Sequence, residues 1–318
     1  MSRFSGDFRI EFWGTRGLIP VPGAETVKYG GNTACVEVRC GREIIILDAG
    51  TGIRELGTKF LRESSTRASI LFSHMHWDHI QGMPFFRPAY VPGNEFKLYG
   101  NKNWDVTLEA TLGGQMRKPS FPISLNEMHA IGAKMEYINI DFGTTFEIGD
   151  SQKITVHSAE LNHPQRAFGF RIEYNGRSLV YATDVESLPH PGRELLELAS
   201  GADLLIHDAQ YTAEEYYKLS HNNDRSCGHS TPEAAARVAL EAGVNKLALF
   251  HHDPHHDDKT VDRMLRKARE TFPNTVAASE GMVIELLPSL QQNVYYTQRL
   301  DMLQICSSME PPISETGI

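Results

Sequence analysis

The sequence lacks several features that would assign it quickly. It contains no run of 18 or more apolar residues, so no helix is expected to cross a membrane. The first residues, MSRFSGDFRIEF, hold an Arg but neither a continuous apolar stretch nor a small-residue cleavage site, so no secretory signal is expected. The four cysteines, Cys35, Cys40, Cys227 and Cys306, are scattered without a CxxC pair. That argues against a zinc ribbon or dithiol motif and fits free thiols in a reducing, cytoplasmic setting. Positive charge is scarce: 31 Lys and Arg face 40 Asp and Glu, a net charge of −9. No basic stripe of the kind that grips long nucleic acid is visible, and the densest basic stretch, MLRKARE, is offset by neighbouring acids.

What is present is a globular composition. Of 318 residues, 41% are hydrophobic and 22% charged, enough apolar material for a large core. Strand patterns are expected at Phe8–Phe12, Cys35–Arg39 and Ile44–Leu47, the last two joined by a hairpin turn. Ile53, Leu56, Phe60 and Leu61 have helical spacing, and Ser69–Phe72 reads as a buried strand. A helix is expected near Trp104–Leu112. Strands follow at Lys134–Ile140, Lys153–His157, Phe168–Tyr174 and Ser178–Ala182, then a helix at Arg193–Ala199 and a strand at Asp203–Ile206. Ser230-Thr231-Pro232-Glu233 reads as a capping box opening a helix over Ser230–Ala242. Strand Lys246–Phe250, a helix near Lys259–Thr271 and strands near Val276 and at Met282–Leu286 complete the pattern. This order predicts one α/β domain over residues 1–287 and a C-terminal appendage or partly disordered tail over 288–318.

Fourteen histidines stand out, several in clusters. Ser73-His74-Met75-His76-Trp77-Asp78-His79 places three imidazoles and a carboxylate directly after a buried strand. Imidazole nitrogen and carboxylate oxygen are the donors that borderline divalent metals prefer. In an extended segment His74 and His76 point the same way and can share one ion, while Asp78 and His79 can reach a second. Further donors must come from other strand ends. His163 follows one strand, Asp184 ends another, and His251 and His252 follow Lys246–Phe250.

Taken together, His74-x-His76-x-Asp78-His79, the distant His163, Asp184 and His251 resemble the signature of the metallo-β-lactamase superfamily. The resemblance extends to about Leu287. It implies a four-layer αβ/βα sandwich of two mixed β-sheets flanked by helices, with a dinuclear site at its edge. It also implies that His74, His76 and His163 bind one ion, that Asp78, His79 and His251 bind the other, and that Asp184 bridges them. His251 is preferred over His252 because it follows its strand immediately. Zinc is the expected ion, and manganese or iron also suits such donors.

Three features narrow the branch. Asp184 stands where several lactamases of the family carry Cys. Gly14-Thr15-Arg16-Gly17 with Gly30-Gly31-Asn32-Thr33 resembles the N-terminal region of the phosphodiesterase branch, which includes the tRNA 3′-processing endonucleases. Gly228-His229-Ser230-Thr231, at an expected helix start, is similar to a motif of that branch whose histidine assists at the phosphate. A helix N-terminus also attracts anions, and an imidazole there can protonate a departing alkoxide. The expected roles are catalysis by Asp78 and His229, and substrate contacts from His229, Asn32 and Phe85. Asp48 and Asp208 are expected to accept ring N–H groups from ligand histidines.

No Gly/Pro-rich arm of the RNA-clamping kind is found. His79–Phe86 with Pro88-Ala89-Tyr90 looks like a subgroup associated with cyclic-nucleotide enzymes. The main expectation is therefore a phosphodiesterase hydrolysing a small nucleotide, most of all a 3′,5′-cyclic one, with hydroxide shared by two ions. Its partner would be that small nucleotide, with no long nucleic acid and no membrane, and its form a homodimer. The alternatives are a tRNA 3′-processing-type endoribonuclease, another hydrolase of the fold, or a catalytically silent nucleotide-binding module.

Overall fold

The computed structural model describes residues 8–63, 65–101, 106–150, 153–223, 228–287 and 294–296. The first part of the chain builds β1 (Phe8–Gly14), β2 (Cys35–Cys40), β3 (Glu43–Leu47), α1 (Ile53–Phe60), β4 (Arg67–Leu71), α2 (Trp77–Ile80) and β5 (Glu95–Asn101). Then come α3 (Leu108–Gln115), α4 (Leu125–Ile131), β6 (Lys134–Ile140), β7 (Thr145–Ile148), β8 (Ile154–Leu161), β9 (Ala167–Tyr174) and β10 (Arg177–Ala182). The last part adds α5 (Arg193–Ala199), β11 (Leu204–Asp208), α6 (Ala213–Asn223), α7 (Pro232–Glu241), β12 (Leu247–Phe250), α8 (Asp258–Thr271), β13 (Thr275–Ala277), β14 (Met282–Glu285) and β15 (Val294–Tyr296).

Among the described residues these strands form two mixed sheets. One has eight strands in the order β15-β14-β1-β2-β3-β4-β5-β6, the other seven in the order β13-β12-β11-β10-β9-β8-β7. Their facing sides make the central core, where Phe8, Ile10 and Phe12 of β1 meet Phe170 and Ile172 of β9 and Phe250 of β12. A second apolar layer packs α1, α3 and α4 on the outside of the first sheet, and a third packs α5, α7 and α8 on the outside of the second. This is the four-layer metallo-β-lactamase sandwich.

The strand ends explain where a site can form. Strands β3 and β4 are parallel neighbours, and so are β10, β11 and β12. Parallel strands deliver their C-terminal loops to one edge, so residues after them converge. Asp48, Ser73, Asp184, Asp208 and His251 all stand at or just past such ends.

Two local expectations shift. Helix α7 begins at Pro232 with Thr231 as its cap: the Thr231 hydroxyl accepts from Ala234 N, while Ser230 Oγ donates to Val185 O. The expected Trp104–Leu112 helix starts later, capped by Thr107, and residues 102–105 lie outside the described residues. Most of the expected tail also lies outside them. Its residues 294–296 pair with β14 as an edge strand.

Candidate metal centre

The residues singled out after β4, β8, β10 and β12 meet at one edge of the sandwich. His74, His76, His163 and Asp184 each offer a donor atom, all within 4.8 Å of one another, and Asp78, His79 and His251 form a second such group. Asp184 joins them: its Oδ1 lies 3.6 Å from His74 Nε2, while its Oδ2 lies 3.1 Å from His79 Nε2 and 3.4 Å from His251 Nε2. His163 Nε2 and His76 Nδ1 approach to 3.3 Å. Asp78 Oδ2 stands 3.1 Å from His251 Nε2 and 3.3 Å from His79 Nε2. His252 turns away, with Nε2 3.0 Å from Ala278 O.

The outward nitrogens of these rings are fixed by hydrogen bonds, which aim the opposite nitrogens at the cluster. His79 Nδ1 meets Asp48 Oδ2 at 2.8 Å, His163 Nδ1 donates to Gly228 O at 2.9 Å, and His251 Nδ1 donates to Gln210 Oε1 at 3.0 Å. Asp48 also accepts from Ser73 N, Ser73 Oγ and Tyr181 Oη. Asp208 Oδ2 lies 2.7 Å from His229 Nδ1 and 3.6 Å from Nδ1 of the donor-group histidine His251. Its other oxygen accepts from Ser230 N and Gln210 N. Gln210 and Tyr181 carry no sequence signal of their own; only their position beside Asp208 and Asp184 could have pointed to them.

Two glycines are required by close approach. A Cβ on Gly17 would fall 2.3 Å from the His251 ring, and one on Gly228, at φ +73°, would press on His163 at 3.0 Å. The loop holding Gly17 is clamped by the buried Arg16, whose guanidinium donates to Gly30 O, Asp253 O and His256 O. Asn32 belongs to the same clamp. Its backbone N–H and side-chain amide both donate to the Glu280 carboxylate. Phe85 is 57% exposed.

Electrostatics fit a cation. Burial holds the His74 pKa well below its ordinary value and lowers those of His76 and His163. His79 goes the other way: burial opposes its charge, but Asp184, Asp78 and Asp48 outweigh burial and raise its pKa well above the usual range. Burial likewise opposes ionisation of Asp78 and Asp184, yet His79 and His251 drive both far below the ordinary carboxylate range. A proton on His79 thus stands in for positive charge that buried carboxylates demand. His74 Nε2 is buried with no hydrogen-bond partner. Buried polar atoms are rarely left unpaired, and a lone pair facing carboxylates is satisfied by a divalent cation. The donor set therefore fits two such ions.

A four-layer sandwich with this edge defines the metallo-hydrolase class. The chain belongs to the metallo-β-lactamase superfamily: the family described as "Beta-lactamase superfamily domain" matches residues 43–252. A curated relative, "Ribonuclease Z" from Synechococcus sp., is 25% identical, with 88% of this chain and 99% of the relative covered. The metallo-beta-lactamase fold protein YhfI from Bacillus subtilis shares the fold at TM-score 0.63 and 18% identity, covering 88% of this chain and 100% of that one. The short form of human tRNase Z does so at TM-score 0.59 and 20% identity, covering 88% and 99%. The family and the donor groups are those of a metal-dependent hydrolase, and relatives in the curated set are named for ribonuclease activity.

One expectation is overturned. Relatives named for ribonuclease activity conflict with a small nucleotide as substrate and with the exclusion of long nucleic acid. The physical reason is that a net charge of −9 sums over the whole surface, whereas an RNA strand meets only the local field at the site.

Proposed function

We propose that this chain is an endoribonuclease of the tRNA 3′-processing type, hydrolysing an RNA phosphodiester at the two donor groups. The observation that carries the reading is Asp184, set between those groups with His229 beside it. The ribonuclease names of the curated relatives supply the substrate class. When bound, divalent ions supply an acidified water and positive charge toward the phosphoryl oxygens, and zinc suits the donors. His74, His76 and His163 would hold one ion and Asp78, His79 and His251 the other, with one Asp184 oxygen for each.

The chain's own groups do the rest. Asp78, fixed by the Leu18 N–H at 2.7 Å, accepts a hydrogen bond from the attacking water and orients it. As the water oxygen bonds to phosphorus, the bond to the leaving ribose oxygen breaks and that oxygen needs a proton. Burial disfavours charge on His229, but the Asp208 carboxylate overcomes this and pushes its pKa up to about 9, so the ring is protonated near neutrality. Asp208 holds Nδ1, leaving the Nε2 proton for the departing oxygen.

The test sets a precursor tRNA with a 3′ trailer beside cyclic AMP and cyclic GMP. Endonucleolytic cleavage of the precursor is expected; hydrolysis of the cyclic nucleotides alone would overturn the reading. His229→Ala is expected to lower turnover about 10²–10⁴-fold, the size of a general-acid contribution, while elemental analysis shows metal content unchanged. A cytoplasmic setting and a homodimer belong to the same proposal. The buried free thiols of Cys35 and Cys40 accord with a reducing compartment, and sedimentation tests the dimer.

A further inference from the structure

Trp77 is the residue between His76 and Asp78, yet it is 67% exposed, second only to Val27 among the large apolar residues that face solvent in the described part of the chain. Its indole is not loose. Nε1–H donates to Gln115 Oε1 at 3.2 Å, and the Gln115 amide donates in turn to Ile80 O. The ring plane is thus held from its edge while the residue stays largely open to solvent. From Gln115 the chain runs into Arg117 and Lys118, both exposed, and Phe121 N–H closes a turn on Arg117 O at 2.9 Å. Phe121 meets the exposed Phe85 edge-to-face at 5.6 Å, and exposed Arg87 lies two residues further on. Hydrogen bonds and a ring contact thus link Trp77, set between two donors, through Gln115 to the turn that carries Arg117 and Lys118, and through Phe121 to Phe85. Among the described residues Arg87, Arg117 and Lys118 make no close ion pair, although Lys118 is near enough to Glu127 for attraction.

We propose that this aromatic and cationic rim binds the single-stranded RNA flanking the cleaved bond, with Trp77 stacking on the nucleobase next to that phosphate. The inference rests on the RNA-cleavage reading and deepens it. With the phosphate fixed at the donor groups, the adjoining base must lie against whatever borders them, and every base has a π-face to offer an open indole. Solvent-facing Lys and Arg outside close ion pairs are the groups that neutralise a passing phosphodiester strand. Placing Trp77 inside the metal motif couples the base position to the reacting phosphorus. It is a positioning residue for substrate and performs no chemistry.

The test uses the metal-loaded full-length protein and an RNA stem with a single-stranded 3′ extension, alongside its counterpart with an abasic residue next to the cleaved bond. Binding is read by fluorescence anisotropy on phosphorothioate versions, and cleavage is read separately. Trp77→Ala is expected to weaken binding and raise KM about tenfold on the base-bearing RNA with kcat within about threefold, and that penalty should shrink to under about threefold on the abasic RNA. Trp77→Phe, which keeps a stacking face, should stay within about threefold of the parent protein. Arg117→Ala with Lys118→Ala should flatten the salt dependence of binding by about 1.4 in log–log slope, two single-strand phosphate contacts. An equal Trp77→Ala penalty on both RNAs, or none, overturns the inference. If the parent protein cleaves no RNA, the endoribonuclease reading fails, and the anisotropy series still decides whether the rim holds a single strand. Absence of binding by the parent protein overturns the rim as well.

Discussion

Asp48 shows how much a single side chain carries. It sits after β3 at φ +61°, and its carboxylate receives four donors, including the His79 ring and the Tyr181 hydroxyl. Asp184 and His251 share the left-handed backbone, at φ +51° and +60°. Such conformations persist in non-glycine residues where surroundings over-determine them, and they gather at functional sites. Asp48→Asn is expected to lower metal affinity about 10–100-fold, because the His79 tautomer loses its anchor. Competition with a chromogenic chelator measures this, and an unchanged affinity would remove Asp48 from the site's support. The donors His74 to His79 were legible because they are adjacent in sequence. Gln210 was not, since its bond to His251 crosses from the end of β11 to the end of β12. The partner of Asn32 was hidden for the same reason: Glu280, far along the chain, accepts from both its backbone and its side-chain amide.

At the scale of elements, β2 and α1 are tied by Glu37. Its buried carboxylate takes Arg39 at 2.5 Å and Lys59 at 2.8 Å, and Trp13 Nε1 donates to it from β1. Burial opposes the charge, but Arg39 and Lys59 outweigh it and hold the pKa below the ordinary carboxylate value. The unfolded chain therefore binds the proton more readily. The resulting stability is fully present above the unfolded carboxylate value of about 4.3 and is lost as pH falls through the lower folded value. Urea denaturation of the parent protein and Glu37→Gln should show a gap at pH 7 that closes below about pH 4. A gap independent of pH would contradict this account. Helix α7 offers a second test. Thr231→Ala removes its cap and should cost about 1 kcal/mol in the same measurement. Helix periodicity made α7 visible in sequence; which of two adjacent hydroxyls caps it depended on Val185, a residue from another loop, taking the Ser230 proton.

For the whole molecule, each donor group draws from both sheets. His74 and His76 follow β4 of the first sheet, while His163 and Asp184 follow β8 and β10 of the second; Asp78 and His79 join His251 across the same division. Bound ions would cross-link the sandwich at its edge. Removing them with a chelator should lower the melting temperature by about 5 °C or more, as expected when a ligand held about 100-fold above its Kd is withdrawn, and zinc should restore it. Calorimetry with no shift would mean that the ions are not part of the folded framework. The sequence by itself determined most of the order of strands and helices, since apolar periodicity is local, though β5, β7, α2, α4 and α6 escaped it, and it determined the donor types, since imidazole and carboxylate chemistry belongs to the residue. Only the tertiary structure decided which polar groups face one another: Asp208 with His229, Asn32 with Glu280, His252 with Ala278. It also brought Phe121 onto Phe85 and Gln115 onto Trp77. The physical reason is that hydrogen bonds and local fields depend on distances across loops closed by the two sheets, and neither composition nor spacing along the chain contains those distances.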